Sequence, residues 1–130
     1  MAKVKPTLDM DLGRHARKAV QVIRDRGHTI RQLENKDGNV CLLGAMRRAT
    51  APMGPTQVSY LQHEFNMRFG RWMEQRYPVE GNAHARHIIR ECEGIDGTMA
   101  TLWNDRVLLT ADEACAWLEK FADEMDPQRP

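Results

Sequence analysis

A thiol placed after a turn, two imidazoles three residues apart and a late Trp-Asn-Asp tripeptide are the groups in this 130-residue chain whose types and spacing could carry chemistry. Cys41 follows the turn signal Asp37-Gly38-Asn39-Val40 and opens the short apolar stretch Leu42-Leu43-Gly44-Ala45. A thiol at a helix start feels the positive end of the helix dipole, which favours the thiolate that a nucleophile needs. A cysteine-dependent hydrolase or transferase would add a histidine base and an Asn or Asp to orient it. His63, His84 or His87 and Asn104 or Asp105 supply those types, and Cys41, His84 and Asp105 form the trio that this reading would use. No spacing in the sequence says that they meet. The competing reading makes Cys41 a small buried hydrophobe beside Leu42 and Gly44, and it is preferred here.

His84 and His87 fall on an expected helix near Glu80, Glu91 and Cys92, so both rings could reach one metal. The His-Glu-x-x-His spacing of zinc hydrolases is absent, and a solvated face with Arg86, His87 and Arg90 accounts for the same residues. Neither a Walker nor a dinucleotide glycine pattern can be written. No metal or cofactor is expected. In Trp103-Asn104-Asp105 the two polar side chains are suited to bonding backbone amides, so the tripeptide should lock the approach to the last helix while the indole fills the core.

Cys41-Leu42-Leu43-Gly44-Ala45 after a turn, together with Trp103-Asn104-Asp105 before a Thr-capped C-terminal helix, resembles a small family of actinobacteria and their phages. The resemblance runs from about Leu12 to Phe121. It implies a domain with an N-terminal helix and brings no activity with it. It also implies that Trp103 and Cys41 lie close together in the fold, flooring one small pocket.

The length suits one domain with a real core. Residues 42% hydrophobic and 28% charged are ordinary globular composition. Apolar runs stay far short of the ~20 residues that cross a bilayer, and the start Met1-Ala2-Lys3-Val4-Lys5-Pro6 is no signal peptide, so a cytoplasmic protein without membrane contact is expected. Cys41, Cys92 and Cys115 are too widely spaced for a zinc knuckle and odd in number, so free thiols are expected. The eight methionines suit a pliable core. Net charge is +1 but unevenly placed: residues 1–55 hold 11 Lys/Arg against 5 Asp/Glu, and residues 93–130 hold 3 against 9. The simplest outcome is that the two ends pack together.

The elements that must position these groups follow from periodicity. A basic arm over residues 1–7 leads into a helix with Leu12, Ala16, Ala19, Val20 and Ile23 on one side, capped by Thr7 or Asp9 and ended by Gly27. A small β-hairpin is expected before Cys41, with Ile30 and Leu33 on one arm and Val40 on the other. A short helix follows from Cys41 to Ala49, in which Gly44 suggests close packing. A long one spans Thr56 to Tyr77, with Gly70 as a candidate bend. Asn82 caps a helix that ends near Gly94, Met99 to Trp103 adds one more turn, and Thr110-Ala111-Asp112-Glu113 is a capping box for the last helix. The expected fold is therefore mainly α: one compact domain of about five helices over residues 8–126, with the hairpin, and a loose tail over 127–130.

Without a catalytic signature, the chain is expected to be a small non-enzymatic phage or actinobacterial accessory protein that binds a protein partner, in the host cytoplasm if phage-encoded. The faces expected to bind are His63, Arg68 and Arg71 on the long helix and Glu119 and Asp123 on the last. A further alternative is nucleic acid held by Lys3, Lys5, Arg14, Arg17, Lys18, Arg24 and Arg26, extended by Arg47 and Arg48. Asp9, Asp11 and Asp25 interrupt that stripe, and the pI near 7.8 is not that of a dedicated nucleic-acid binder.

Overall fold

The structure, a computed structural model, describes residues 7–92 and 97–127. Lys3 and Lys5 of the expected arm, Gly94 and the tail beyond Pro127 lie outside the described residues.

Thr7 starts the fold: its hydroxyl accepts the Met10 amide at 3.1 Å and launches α1, Leu8–Arg26. The apolar stripe of α1 is buried, and α6, Ala111–Met125, lies along it. Between them stand α2 (Leu42–Thr50), a 3-10 turn (Ala51–Met53), the 22-residue α3 (Pro55–Arg76), α4 (Ala83–Glu91) and α5 (Ala100–Arg106). The turn expected at Met99 to Trp103 is thus a helix in its own right, giving six among the described residues. Thr110 accepts the Glu113 amide at 3.1 Å, while the Glu113 carboxylate meets the Thr110 hydroxyl rather than the cap's own amide. Only half of the capping box is formed.

The hairpin expected before Cys41 is absent. Val40 makes one isolated bridge to each side, parallel with His28 and antiparallel with Glu34. The cause lies at Arg31, whose φ of 67° turns the chain back between those two partners before a ladder can extend. The tight turn itself is present: Gly38 donates to the Asn35 carbonyl at 3.0 Å, and Asn35 Oδ1 accepts from the amides of Asp37 and Asn39.

Gly70 does not interrupt α3, which runs unbroken from Pro55 to Arg76. A Cβ there would stand 2.0 Å from the Thr98 carbonyl oxygen, so the missing side chain admits the strand-like segment leading into α5. Thr98 seals that approach, donating to the Gly70 carbonyl at 2.9 Å and accepting from Trp103 Nε1 at 3.0 Å. Phe65, Phe69, Trp72 and Phe121 pack edge-to-face and stacked where α3 meets α6. Trp72 Nε1 donates to Glu124, whose carboxylate also takes both arms of Arg76.

The uneven charge of the sequence closes on itself across α1 and α6. Arg17 pairs with Asp123 at 3.2 Å and Asp126 at 3.1 Å, and Arg24 with Glu119 at 3.0 Å. Of the basic stripe, Arg14, Arg17, Arg24 and Arg48 are thus paired in place, Arg14 with Asp11 and Arg48 with Glu34.

His15 on α1 departs from the general satisfaction of buried groups. It is 2% exposed and neither ring nitrogen has a partner among the described residues. Burial first, then the cations Arg14 and Lys18, push its pKa below the usual 6.5. The unfolded chain consequently takes up this proton before the folded one does. Stability is full above about pH 6.5 and falls as pH drops below it. In His15→Leu the fall between pH 7.5 and 5.5 should be shallower and the midpoint at pH 5.5 higher, read by urea denaturation. An unchanged pH slope would remove His15 as its source.

Candidate functional site

Asn104 is wholly buried in the middle of α5, and its amide is saturated. Oδ1 accepts the Leu42 amide at 3.0 Å, and since a backbone N–H can only donate, this fixes which amide atom is oxygen. His28 Nε2, 2.6 Å from the same oxygen, must then carry the ring proton. Nδ2 donates to the Thr29 carbonyl at 3.1 Å and to Asp105 Oδ1 at 2.9 Å. Asp105 Oδ1 in turn accepts the amide of Arg31 at 2.8 Å. The expectation that Trp103-Asn104-Asp105 locks the approach to the last helix is therefore corrected: the tripeptide lies inside α5, and its polar members secure the 28–42 loop and the start of α2. The loop is long-range to α5 in sequence, so no local pattern could assign the partners.

Cys41 stands just ahead of the Leu42 amide that Asn104 holds. It is the N-cap of α2 rather than a residue of the helix, with Sγ accepting the Gly44 amide at 3.3 Å. Gly44 is required: a Cβ would stand 2.0 Å from the Leu33 carbonyl oxygen. At 4% exposure the thiol is buried, and burial raises its pKa more than the amides of Gly44 and Leu43 lower it. The helix-start effect expected to activate the sulfur is present but loses to desolvation. Trp103, also expected near it, is fully buried.

The trio Cys41, His84 and Asp105 is not assembled. His84 and Asp105 do share a surface cleft of about 380 Å³, together with Ile30, Arg31, His87, Arg106 and Leu109, but Cys41 is not on it. The imidazole that reaches Asn104 is that of His28, which sequence reasoning did not single out because no periodicity marks a loop histidine. His87 turns to Glu91 at 3.1 Å, and no three His, Cys, Asp or Glu side chains among the described residues converge as metal ligands would.

The expected binding faces are exposed but occupied. On α3, Arg68 bridges Asp9 at 2.6 Å and Glu64 at 3.1 Å, and it lines a shallow cleft with Arg71, Trp72 and Met125. His63 is exposed on the same helix. On α6, Glu119 and Asp123 are the partners of Arg24 and Arg17 described above. The α4–α5 cleft differs. Leu109 is 52% exposed there, Arg31 has no ion pair among the described residues, and Arg106 reaches Glu91 only at 3.6 Å. Neither Leu109 nor Arg31 carries a sequence signal, since a single exposed leucine and a loop arginine are common.

Six helices around one apolar core, with a thiol-capped second helix pinned by a buried amide, define a small all-helical domain in which no helix of the described residues is long and apolar enough to cross a membrane. The chain belongs to the Family of unknown function (DUF6197), whose model matches residues 8–124, from the start of α1 almost to the end of α6. No curated protein and no solved structure matches it. Membership agrees with the resemblance to a family without assigned activity.

Two outcomes follow from this geometry. Asn104→Ala strands the Leu42 amide and the Thr29 carbonyl with their partner gone, and should lower stability by about 3 to 5 kcal/mol by urea denaturation. A loss under about 1 kcal/mol would mean that water replaces the amide. In the folded protein, iodoacetamide should label half-exposed Cys92 well before Cys41 or Cys115, as peptide mapping would resolve. Rapid labelling of Cys41 would contradict its buried, inactivated state.

Proposed function

We propose that this chain is a small non-enzymatic accessory protein, of the phage or actinobacterial kind that its two motifs resemble, which works in the cytoplasm by binding a protein partner through the α4–α5 cleft. The observation that carries this reading is the coincidence, at one concave site, of exposed Leu109 and half-buried Ile30 with Arg31, which has no ion pair among the described residues. Buried apolar anchors beside arginine are what protein interfaces favour. The faces of α3 and α6 are less suited, because Arg68, Glu119 and Asp123 already hold internal partners that binding would have to displace.

A second reading, cysteine chemistry at Cys41, draws on one observation. The His28–Asn104 hydrogen bond, close to a thiol that caps a helix, has the residue types of a cysteine-histidine-asparagine arrangement. Against it stand the burial and raised pKa of the thiol. The nucleic-acid alternative through α1 loses support from the pairing of Arg17 and Arg24 with α6.

Affinity capture from an actinobacterial lysate, treated with nuclease, should retain a partner with the natural chain and lose it with Leu109→Asp. The substitution lies at a half-exposed site, so its Tm should stay within a few degrees. Equal capture by both proteins would reject the cleft, and loss of all capture on nuclease treatment would reject a protein partner.

A further inference from the structure

We infer that the occupant of the α4–α5 cleft is an acidic segment of the partner, seated with a carboxylate on Arg31 and an aliphatic side chain on Ile30 and Leu109. This inference rests on the protein-binding reading above and gives the partner its chemistry.

The backbone of Arg31 is the first argument. It is the one non-glycine residue among the described residues with φ in the left-handed region, at 67°. Glycine, or less readily asparagine, adopts that conformation without a Cβ penalty, so a long charged side chain is the costly choice there. The conformation is imposed from outside: Asp105 Oδ1 holds the Arg31 amide at 2.8 Å, and Asn104 fixes Asp105. Backbone strain held by a rigid frame is a recurrent mark of functional positions. The frame leaves the guanidinium at the cleft, exposed and without an ion pair among the described residues.

Charge within the cleft gives the second argument. Asp105 Oδ1 is already engaged by two N–H donors, and Glu91 is shared between His87 at 3.1 Å and Arg106 at 3.6 Å. Two guanidinium groups, Arg31 and Arg106, face the single carboxylate of Asp105 in the lining; Arg31 forms no ion pair among the described residues, and a planar guanidinium suits two carboxylate oxygens at once. Elsewhere the arrangement is the reverse: Arg48 is held by both oxygens of Glu34, and Arg76 by both of Glu124.

An acidic peptide fits better than a nucleic acid. The lining offers two aliphatic side chains that an aliphatic peptide side chain would cover, and no Phe, Tyr or Trp on which a base would stack. A peptide alternating carboxylate and aliphatic side chains satisfies both halves of the lining.

The test is an amide-resolved NMR titration of the full chain with the peptide acetyl-Glu-Leu-Glu-Glu-Leu-amide. The glutamine and lysine counterparts and an oligo-dT of about ten nucleotides serve as comparisons, the last because phosphates would seek the same cations. The acidic peptide should shift the amides of Arg31, His84, Asp105 and Leu109, and weaken as salt rises from about 0.05 to 0.5 M. Arg31→Gly should bind it about tenfold more weakly, the loss of one charge-assisted contact. The same variant should have an unchanged or higher Tm, because glycine accepts the left-handed φ; a merely structural arginine would lower the Tm instead. Equal binding of the glutamine peptide, unchanged affinity in Arg31→Gly, tighter binding of oligo-dT, or no shift at the cleft with any peptide would each overturn the proposal. Partner capture that still depends on Leu109 would in those cases leave the protein-binding reading standing, whereas capture indifferent to Leu109 would remove that reading as well.

Discussion

A buried primary amide must place two donors and two acceptor sites, and Asn104 does so with partners drawn from three separate parts of the chain. That requirement organises the molecule. The 28–42 loop has little regular structure of its own, with isolated bridges in place of a ladder. Its carbonyls and amides would be poorly satisfied without the amide of α5 beneath it. Because α2 begins where Asn104 grips the Leu42 amide, the same bond sets the start of that helix and hence the position of Cys41. On the outer side, the chain from Asn104 through Asp105 to the Arg31 amide shapes the cleft. Core and surface are thus coupled through one side chain.

Two close backbone approaches complete the frame. Gly44 lets the Leu33 carbonyl come against α2, and Gly70 lets the Thr98 carbonyl come against α3. In each case a segment without helical structure is pressed onto a helix at the one residue type that leaves room. The neighbouring polar groups then bond across the contact: Cys41 donates its amide to the Leu33 carbonyl at 3.1 Å, and Thr98 bonds the Gly70 carbonyl. The irregular segments are thereby tied to the helices that flank them.

What the sequence made legible was whatever repeats or terminates locally. The stripe of α1, the caps Thr7, Asn82 and Thr110, and the Gly38 turn all follow from spacing and residue type, and the structure places them as expected. Gly44 was recognised as a packing residue, though not what it packs against. The hairpin misled because alternating apolar residues flank a good turn, while the residue that prevents pairing, Arg31, gives no sign of its left-handed φ. The role of Asn104 was placed in the wrong part of the fold because its partners lie 62 to 76 residues away. The cleft was illegible for the same reason: Arg31, His84 and Leu109 meet only after three distant segments are docked.

The aromatic side chains form one continuous run through the other half of the molecule. Trp72 lies 6.0 Å from Trp117, Trp117 is 5.3 Å from Tyr77, and Tyr77 is 5.2 Å from Trp103. All three indoles of the chain belong to it, and α4 and the cleft lining contain no Phe, Tyr or Trp. At such separations excitation migrates among the rings, so intrinsic fluorescence reports the docking of α3, α5 and α6 as a single signal. The run touches α4 only where Tyr77 accepts the Asn82 side-chain amide at 3.0 Å, so a tryptophan introduced in the cleft would be a local reporter against the background of a strongly coupled triad.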